Sequence, residues 1–339
     1  MPSVDVFMCP DFGYPAFVES AKLAEQHGFE NFWLIDSTDA HSDYCPWAGL
    51  VAVNTSRIRI GPGVTNPLTR HPRVTANHML TIHELSKGRA VLGLGAGSNA
   101  TRTLGWQPAR HSVMREATEV IRNKFKEKKA DIPIYLVAGG PLNTKLAFQM
   151  ADGVIGAGAG GMRSSPEGLL NSLQRLKAAA KEVGRDFSSV PVTMNVAGGS
   201  ISHNRKEALE DMKGLFASSM RNIFVDRRSS LPPELQRFRE EAQRATEAYD
   251  TIYHFQSHMP DGQPIPPARF ISDEFADELA KLSGFVGTPQ EVLPKFKAYW
   301  QVASQFPNVG FFVVPHGSRG GRMRSFELFV KEILPKLRS

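Results

Sequence analysis

The chain has 339 residues, 41% of them hydrophobic and 22% charged, with a formal net charge of +6. A sequence this apolar can bury a sizeable core and is not a disordered one, and no apolar run approaches the ~20 residues of a membrane span. The positive balance suits an acidic ligand, but basic residues are interleaved with acids, as in EEAQRATEAYD, without the basic stripe and aromatics that nucleic-acid binding requires. The cysteines Cys9 and Cys45 stand alone, with no zinc-like spacing, and the chain opens without a basic and then apolar leader. The expectation is a reduced, cytoplasmic protein with no metal site.

Strand and helix signals alternate along the chain. Val4–Met8 reads as a first strand and Tyr14–His27 as an amphipathic helix stopped at Gly28. Asn31–Ile35 is a second strand, Pro46–Asn54 a helix, Ile58–Val64 a third strand, and Arg73–Leu85 a helix stopped by Lys87-Gly88. Ala90–Leu94, Ile134–Val137 and Gly153–Ile155 are strands four to six, alternating with helices at Val113–Lys126, Leu142–Met150 and Pro166–Val183. Val192–Val196 is a seventh strand followed by a helix from Arg205, and Val309–Val314 an eighth followed by a helix over Arg324–Leu337. Eight short apolar strands alternating with helices predict an α/β fold, a single (β/α)8 TIM barrel over residues 1–339. An open doubly wound sheet would want its glycine-rich turn after the first strand, where CPDFGYP stands instead. Residues 200–308 break the rhythm and read as a long helical insertion between strands seven and eight, of the kind that carries function or an interface.

In such a barrel the residues after each strand converge on the C-terminal face. They are Asp36, Ser37, Asp39 and His41 after strand two, Thr65 and Asn66 after strand three, and Gly95–Asn99 after strand four. AGGP (Ala138–Pro141) follows strand five, GAGAGG (Gly156–Gly161) strand six, and PHGSRGGR strand eight. The adjacent glycine-rich turns AGGP and GAGAGG suit a phosphate, because small residues let backbone amides approach an anion at a helix start. His71, His78 and His83 read as structural, since the last two are five apart and do not share a helix face. Arg319, Arg322 and Arg324 are candidates for an anionic ligand.

GVTNPLTRHP, a helix and GRAVLGLGAGS, then YLVAGGP, ADGVI, FVGTPQEV and SFELFVKEILPKLR together resemble the bacterial luciferase-like family of flavin- and deazaflavin-dependent oxidoreductases. The likeness is to the coenzyme F420-dependent branch, which includes methylene-tetrahydromethanopterin reductase and the deazaflavin-dependent sugar-phosphate dehydrogenase. It covers most of the chain outside about residues 220–269. The resemblance implies that Asp36 lies near the deazaflavin ring and that Gly63-Val64 is a non-proline cis peptide behind it. It also implies that Thr65 and Asn66 bind the cofactor, with Gly97, Ser98 and Asn99 beside them. Gly139, Gly140, Pro141 and the turn Ala157, Gly158, Ala159, Gly160 would hold its phosphate.

The chain departs from the sugar-phosphate dehydrogenase, which has a His and a Glu for proton transfer where Ser37 and Ser98 stand here, and a Lys where Gly160 stands. Alcohol oxidation without that acid and base is not expected. A reductase passing hydride to an activated C=C, C=N, nitro or similar group needs one proton donor, for which His41, Asp39 and Tyr44 are the candidates. The expected protein is thus an F420-dependent reductase of a small molecule, a homodimer or larger by family likeness. The alternatives are an FMN-dependent monooxygenase using reduced flavin and oxygen, and a flavin-binding barrel without turnover.

Overall fold

The computed structural model describes all 339 residues except Thr38, residues 157–164, Arg227, His254, Phe255, Ser283 and Arg319. Its elements run β1 (Val4–Met8), α1 (Tyr14–Gln26), β2 (Asn31–Leu34), α2 (Tyr44–Asn54), β3 (Arg59–Pro62), α3 (Pro72–Leu85), β4 (Leu92–Leu94), α4 (Ser98–Arg102), α5 (His111–Glu127), β5 (Ile134–Ala138), α6 (Pro141–Met150), β6 (Gly153–Gly156), α7 (Pro166–Glu182) and β7 (Val192–Ile201). Then follow α8 (Arg205–Arg221), α9 (Arg239–Glu247), α10 (Asp273–Leu282), β8 (Phe285–Gly287), α11 (Pro289–Ala303), β9 (Val309–Pro315), α12 (Gly320–Leu328) and α13 (Leu334–Arg338). The chain forms two compact units.

The first unit comprises residues 1–159, 166–196 and 300–313. Its strands pair in the order β3-β2-β1-β9-β7-β6-β5-β4, and parallel bridges Ile60–Ala90 and Thr65–Leu94 join β3 back to β4. That closes a parallel ring of eight strands, the TIM barrel expected from the alternating pattern. Successive helices α1 to α3, and α5 to α7, pack one on the next. Inside the ring, Phe7 meets Trp33 and Phe312 at centroid distances of 5.7 and 3.9 Å, and Trp33 meets Tyr135 at 5.5 Å. Beneath these rings Asp5 is fully buried. Its Oδ1 accepts from the backbone amide and Nδ2 of Asn31 (3.1 and 2.9 Å), and its Oδ2 from Trp33 Nε1 (3.0 Å). Burial outweighs these bonds and pushes its pKa up to about 6.

The second unit comprises residues 160–165, 197–299 and 314–339. Its apolar core is built on Met212, Phe216 and Met220 of α8 against Leu235, Phe238, Phe275 and Leu279, with Phe238 stacked on Phe275 at 4.7 Å. Asp211 of α8 is buried, accepting from Ser200 Oγ (2.7 Å) and Arg324 Nη2 (2.6 Å). Arg324 also pairs with Glu207 at 3.3 Å, so this arginine, a candidate for an anionic ligand, is engaged by acids of its own unit.

Three features differ from the sequence reading. The region expected as a helical insertion also contains a strand, β8, whose Phe285 pairs with Gly199 of β7. Three residues are too few to display a period, and the seventh strand, expected to stop at Val196, runs on through Gly198-Gly199 to Ile201. A side chain at Gly199 would place a Cβ 2.2 Å from the Phe285 carbonyl oxygen, so glycine is what lets the two backbones meet. The closing helix is interrupted by a wide turn over Phe329–Ile333 before Pro335, which lacks the N–H a continuous helix needs. The five-residue α4 is too short for periodicity to reveal.

Buried Asp5 and Asp211 each make the fold testable. Because the Asp5 pKa is raised, its contribution to stability is complete below the unfolded value near pH 4 and is lost as pH rises through about 6. The ionisation penalty is on the order of 1–3 kcal/mol, so the melting temperature of the native chain should fall between pH 5 and pH 7.5. Asp5→Asn should start lower, having lost the Trp33 bond, but show a shallower fall. Gly321→Ala would ordinarily stabilise a helix by about 0.5–1 kcal/mol. Here its Cβ would lie 2.5 Å from Asp211 Oδ1, and overpacking predicts a net loss of about 1–3 kcal/mol in urea unfolding. Gly320→Ala, which meets nothing within 4 Å, should cost nothing.

Candidate active site

Because the strands are parallel, the C-terminal ends of β1 to β6 lie on one rim of the ring, and the loops leaving it carry the chemistry-bearing residues. After β1, the Asp11 amide donates to the Cys9 carbonyl (2.9 Å), a tight turn at Pro10. After β2, the amides of Ala40 and His41 donate to the Ser37 carbonyl (3.2 and 3.1 Å). This arrangement buries the His41 imidazole, with Nδ1 3.6 Å from Asp11 Oδ2. Asp39, in the same loop, is exposed and in the left-handed region at φ 65°.

Asp36, buried at the end of β2, accepts from Arg70 Nη1 at 2.5 Å, and Nη2 of the same guanidinium reaches Asp43 Oδ2 at 2.9 Å. Asp43 also caps α2 by accepting from the Cys45 amide (2.9 Å). Desolvation works against its charge, but the Cys45 amide and Arg70 outweigh it and hold the carboxyl below its usual range. The Arg70 guanidinium stands 5.1 Å from the Tyr44 ring. Burial first, and the charge of Asp36 second, push the Tyr44 phenol far up, which makes it a reluctant proton donor. Its hydroxyl is buried with no hydrogen-bond partner among the described residues.

After β3 the Gly63–Val64 peptide is cis, the bond at which the family resemblance places one. Thr65 follows, wholly buried, its amide and carbonyl tied to Gly93 and Gly95 (3.0 and 2.9 Å) and its hydroxyl without a partner among the described residues. The Asn66 side chain turns to its own loop. Its Oδ1 accepts from the Leu68 and Thr69 amides (3.0 Å each), and Nδ2 donates to Thr69 Oγ1 (2.9 Å). The amide that the resemblance assigns to the cofactor thus shapes the turn that delivers Arg70. Gly97 caps α4 at φ 81°, where a Cβ would sit 2.7 Å from that of Asn66, and Ser98 and Asn99 form the first turn.

At the head of α6, Gly139 and Gly140 are exposed, and a Cβ on Gly140 would meet nothing within 4 Å. Pro141 opens the helix. A pocket of about 380 Å³ lies beside this turn, bordered by Gly140, Lys145 of α6, and Ser172 and Arg175 of α7. Arg175 Nη2 donates to Ser172 Oγ (2.9 Å), and Lys145 pairs with Glu182 at 2.7 Å. The turn Ala157, Gly158, Ala159, Gly160 lies outside the described residues.

The structure therefore gathers Asp36 with Tyr44, and Gly63 to Asn66 with Gly97. Sequence reasoning missed three side chains: Asp11 beside His41, and Arg70 and Asp43 around Asp36. The available signal was that each lies in a loop leaving a strand end.

The model for luciferase-like monooxygenases matches residues 9–304. The 5,10-methylenetetrahydromethanopterin reductase of Methanopyrus kandleri is 30% identical over 62% of the chain and 69% of its own length. That of Archaeoglobus fulgidus is 29% identical over 97% of the chain and 98% of its own. Among solved structures, the coenzyme F420-dependent tetrahydromethanopterin reductase from Methanopyrus kandleri superposes with a TM-score of 0.72 at 24% identity, covering 99% of both chains.

Replacing Arg70 by methionine leaves Asp36 buried without its cation. Arg70 is 17% exposed, so the expected loss is somewhat below that of a fully buried pair, about 2–4 kcal/mol. Urea unfolding of Arg70→Met, Asp36→Asn and the double variant would measure it. The double variant should recover part of the loss, and strict additivity would mean that the two groups do not interact.

Proposed function

This chain belongs to the luciferase-like monooxygenase family, and on that premise we propose that it is a coenzyme F420-dependent reductase of a small organic substrate carrying an activated C=C, C=N or similar group. Full-length similarity to a methylenetetrahydromethanopterin reductase supports the reductase direction. The dependence of the superposed Methanopyrus kandleri reductase on coenzyme F420 supports the cofactor.

The single observation that carries the reading is Thr65. A buried hydroxyl left unsatisfied costs about 1–3 kcal/mol, and this one, without a partner among the described residues, follows directly on the cis Gly63–Val64 peptide at the rim. A bound ring with a hydrogen-bonding edge would relieve it, so the residues present fit the cofactor. When bound, F420 supplies a two-electron hydride donor or acceptor, and the chain supplies position and protons. Asp36, fixed by Arg70, would set the electrostatics beside the ring. The open turn Gly139-Gly140 would take the phosphate, and Lys145 and Arg175 in the adjoining pocket would take the carboxylates of the acidic tail. Of the three proton-donor candidates, His41 fits best. Asp11 lies close enough to stabilise its imidazolium and to set the ring's orientation, whereas Tyr44 holds its proton too tightly and Asp39 faces solvent.

Fluorescence-quench titration with F420 and, separately, FMN tests the cofactor. F420 should bind at least about tenfold tighter, a difference of about 1.4 kcal/mol, and Thr65→Val and Arg175→Glu should each weaken it. Tight FMN binding with none of F420 would overturn the reading in favour of a flavin monooxygenase. In a substrate screen with reduced F420, His41→Gln should lower kcat by about 10²–10⁴ with F420 affinity unchanged.

A further inference from the structure

We propose that Cys9, Asp11 and His41 form a binding site for one thiophilic divalent cation, with Zn²⁺ the natural occupant. One sulfur, one carboxylate oxygen and one imidazole nitrogen from these residues all lie within 4.8 Å of one another. Cys9 is 1% exposed and the His41 side chain 0%, while the Asp11 side chain keeps 21%, so the cluster is walled by protein and reachable through its carboxylate.

The frame is rigid. Met8 of β1 pairs with Leu34 of β2, and the Ile35 amide donates to the Met8 carbonyl at 3.0 Å, which levels the two strand ends. The turn from Cys9 to Asp11 and the amide of His41 on Ser37 then hold the three donors on one side. Tetrahedral zinc, with Zn–S near 2.3 Å and Zn–N and Zn–O near 2.0–2.2 Å, needs its ligand atoms about 3.3–3.6 Å apart. A side-chain adjustment of about 1 Å reaches that spacing. Three protein ligands of mixed type leave the fourth position open to water, unlike the closed four-ligand set of structural zinc sites, and the thiolate selects against Mg²⁺ and Ca²⁺.

Binding requires Cys9 as thiolate and His41 as neutral imidazole, so it releases protons and strengthens as pH rises. It also takes the lone pair of one His41 imidazole nitrogen and so opposes the imidazolium that would deliver the proton. Zinc at this site therefore inhibits turnover reversibly, a consequence that rests on the role given to His41 above, whereas the site itself does not.

The test is titration of the purified, cofactor-free protein with Co²⁺, followed by the near-ultraviolet thiolate-to-cobalt charge-transfer band and then by Zn²⁺ displacement. One equivalent should produce the band and Zn²⁺ should abolish it. Cys9→Ser should eliminate the band, Asp11→Asn should weaken binding about 10–100-fold, and Cys45→Ser should leave both intact, with circular dichroism confirming that each variant is folded. Absence of a band, or one that survives in Cys9→Ser or disappears in Cys45→Ser, overturns the site. With the site established, zinc inhibition reversed by a chelator in the native chain tests the consequence separately, and failure there alone would overturn the role of His41.

Discussion

Closure of the ring between β3 and β4 is the constraint on which the site depends. Ile60 and Thr65 bridge Ala90 and Leu94 there, and the strands approach so closely that a Cβ on Gly93 would lie 2.5 Å from the Pro62 carbonyl oxygen. Without that contact the parallel strands would fan into an open sheet with two edges. With it, six consecutive strand ends are held level, and loops far apart in sequence share one rim. The cis Gly63–Val64 peptide sits at this seam, so the element expected beside the ring of a bound cofactor is also part of what closes the barrel.

Charge at the rim is arranged by pairing rather than by exposure. Arg70 serves Asp36 and Asp43 together while its face covers Tyr44. One guanidinium thus satisfies two carboxylates and fixes the start of α2. A planar, delocalised cation suits this position better than a lysine, because it donates in two directions and stacks at once. His41 and Asp11 form a second pair a loop away. The two carboxylates accordingly have different partners. Asp36 is paired and held still by Arg70, whereas Asp11 stands beside the buried imidazole of His41.

The strand–helix alternation was legible because β1 to β6 are short, apolar and bounded by glycine, proline or asparagine, and because α1, α3 and α5 carry clear apolar faces. The glycine-rich motifs located the rim, and the family resemblance located the cis peptide. What escaped is what depends on tertiary approach. β8 has three residues and acquires its identity only by meeting Gly199. Arg70 reads as part of a polar turn until Asp36, 34 residues earlier, is seen to receive it. The approach of Cys9 to His41 was also invisible, because a spacing rule compares neighbours in sequence whereas His41 arrives from the loop after the next strand. The part Asn66 plays in shaping its own turn was likewise hidden, since the sequence does not show that its side chain accepts from the Leu68 and Thr69 amides.

The buried Asp5 carries one more implication. Between about pH 4 and pH 6 the folded chain holds a proton there that the unfolded chain releases. Folding in mildly acidic solution therefore takes up a proton at this carboxyl. Part of the heat in a calorimetric experiment belongs to the buffer that gives up the proton. Enthalpies measured in buffers of different ionisation heat will differ for that reason alone, while the free energy at a given pH will not.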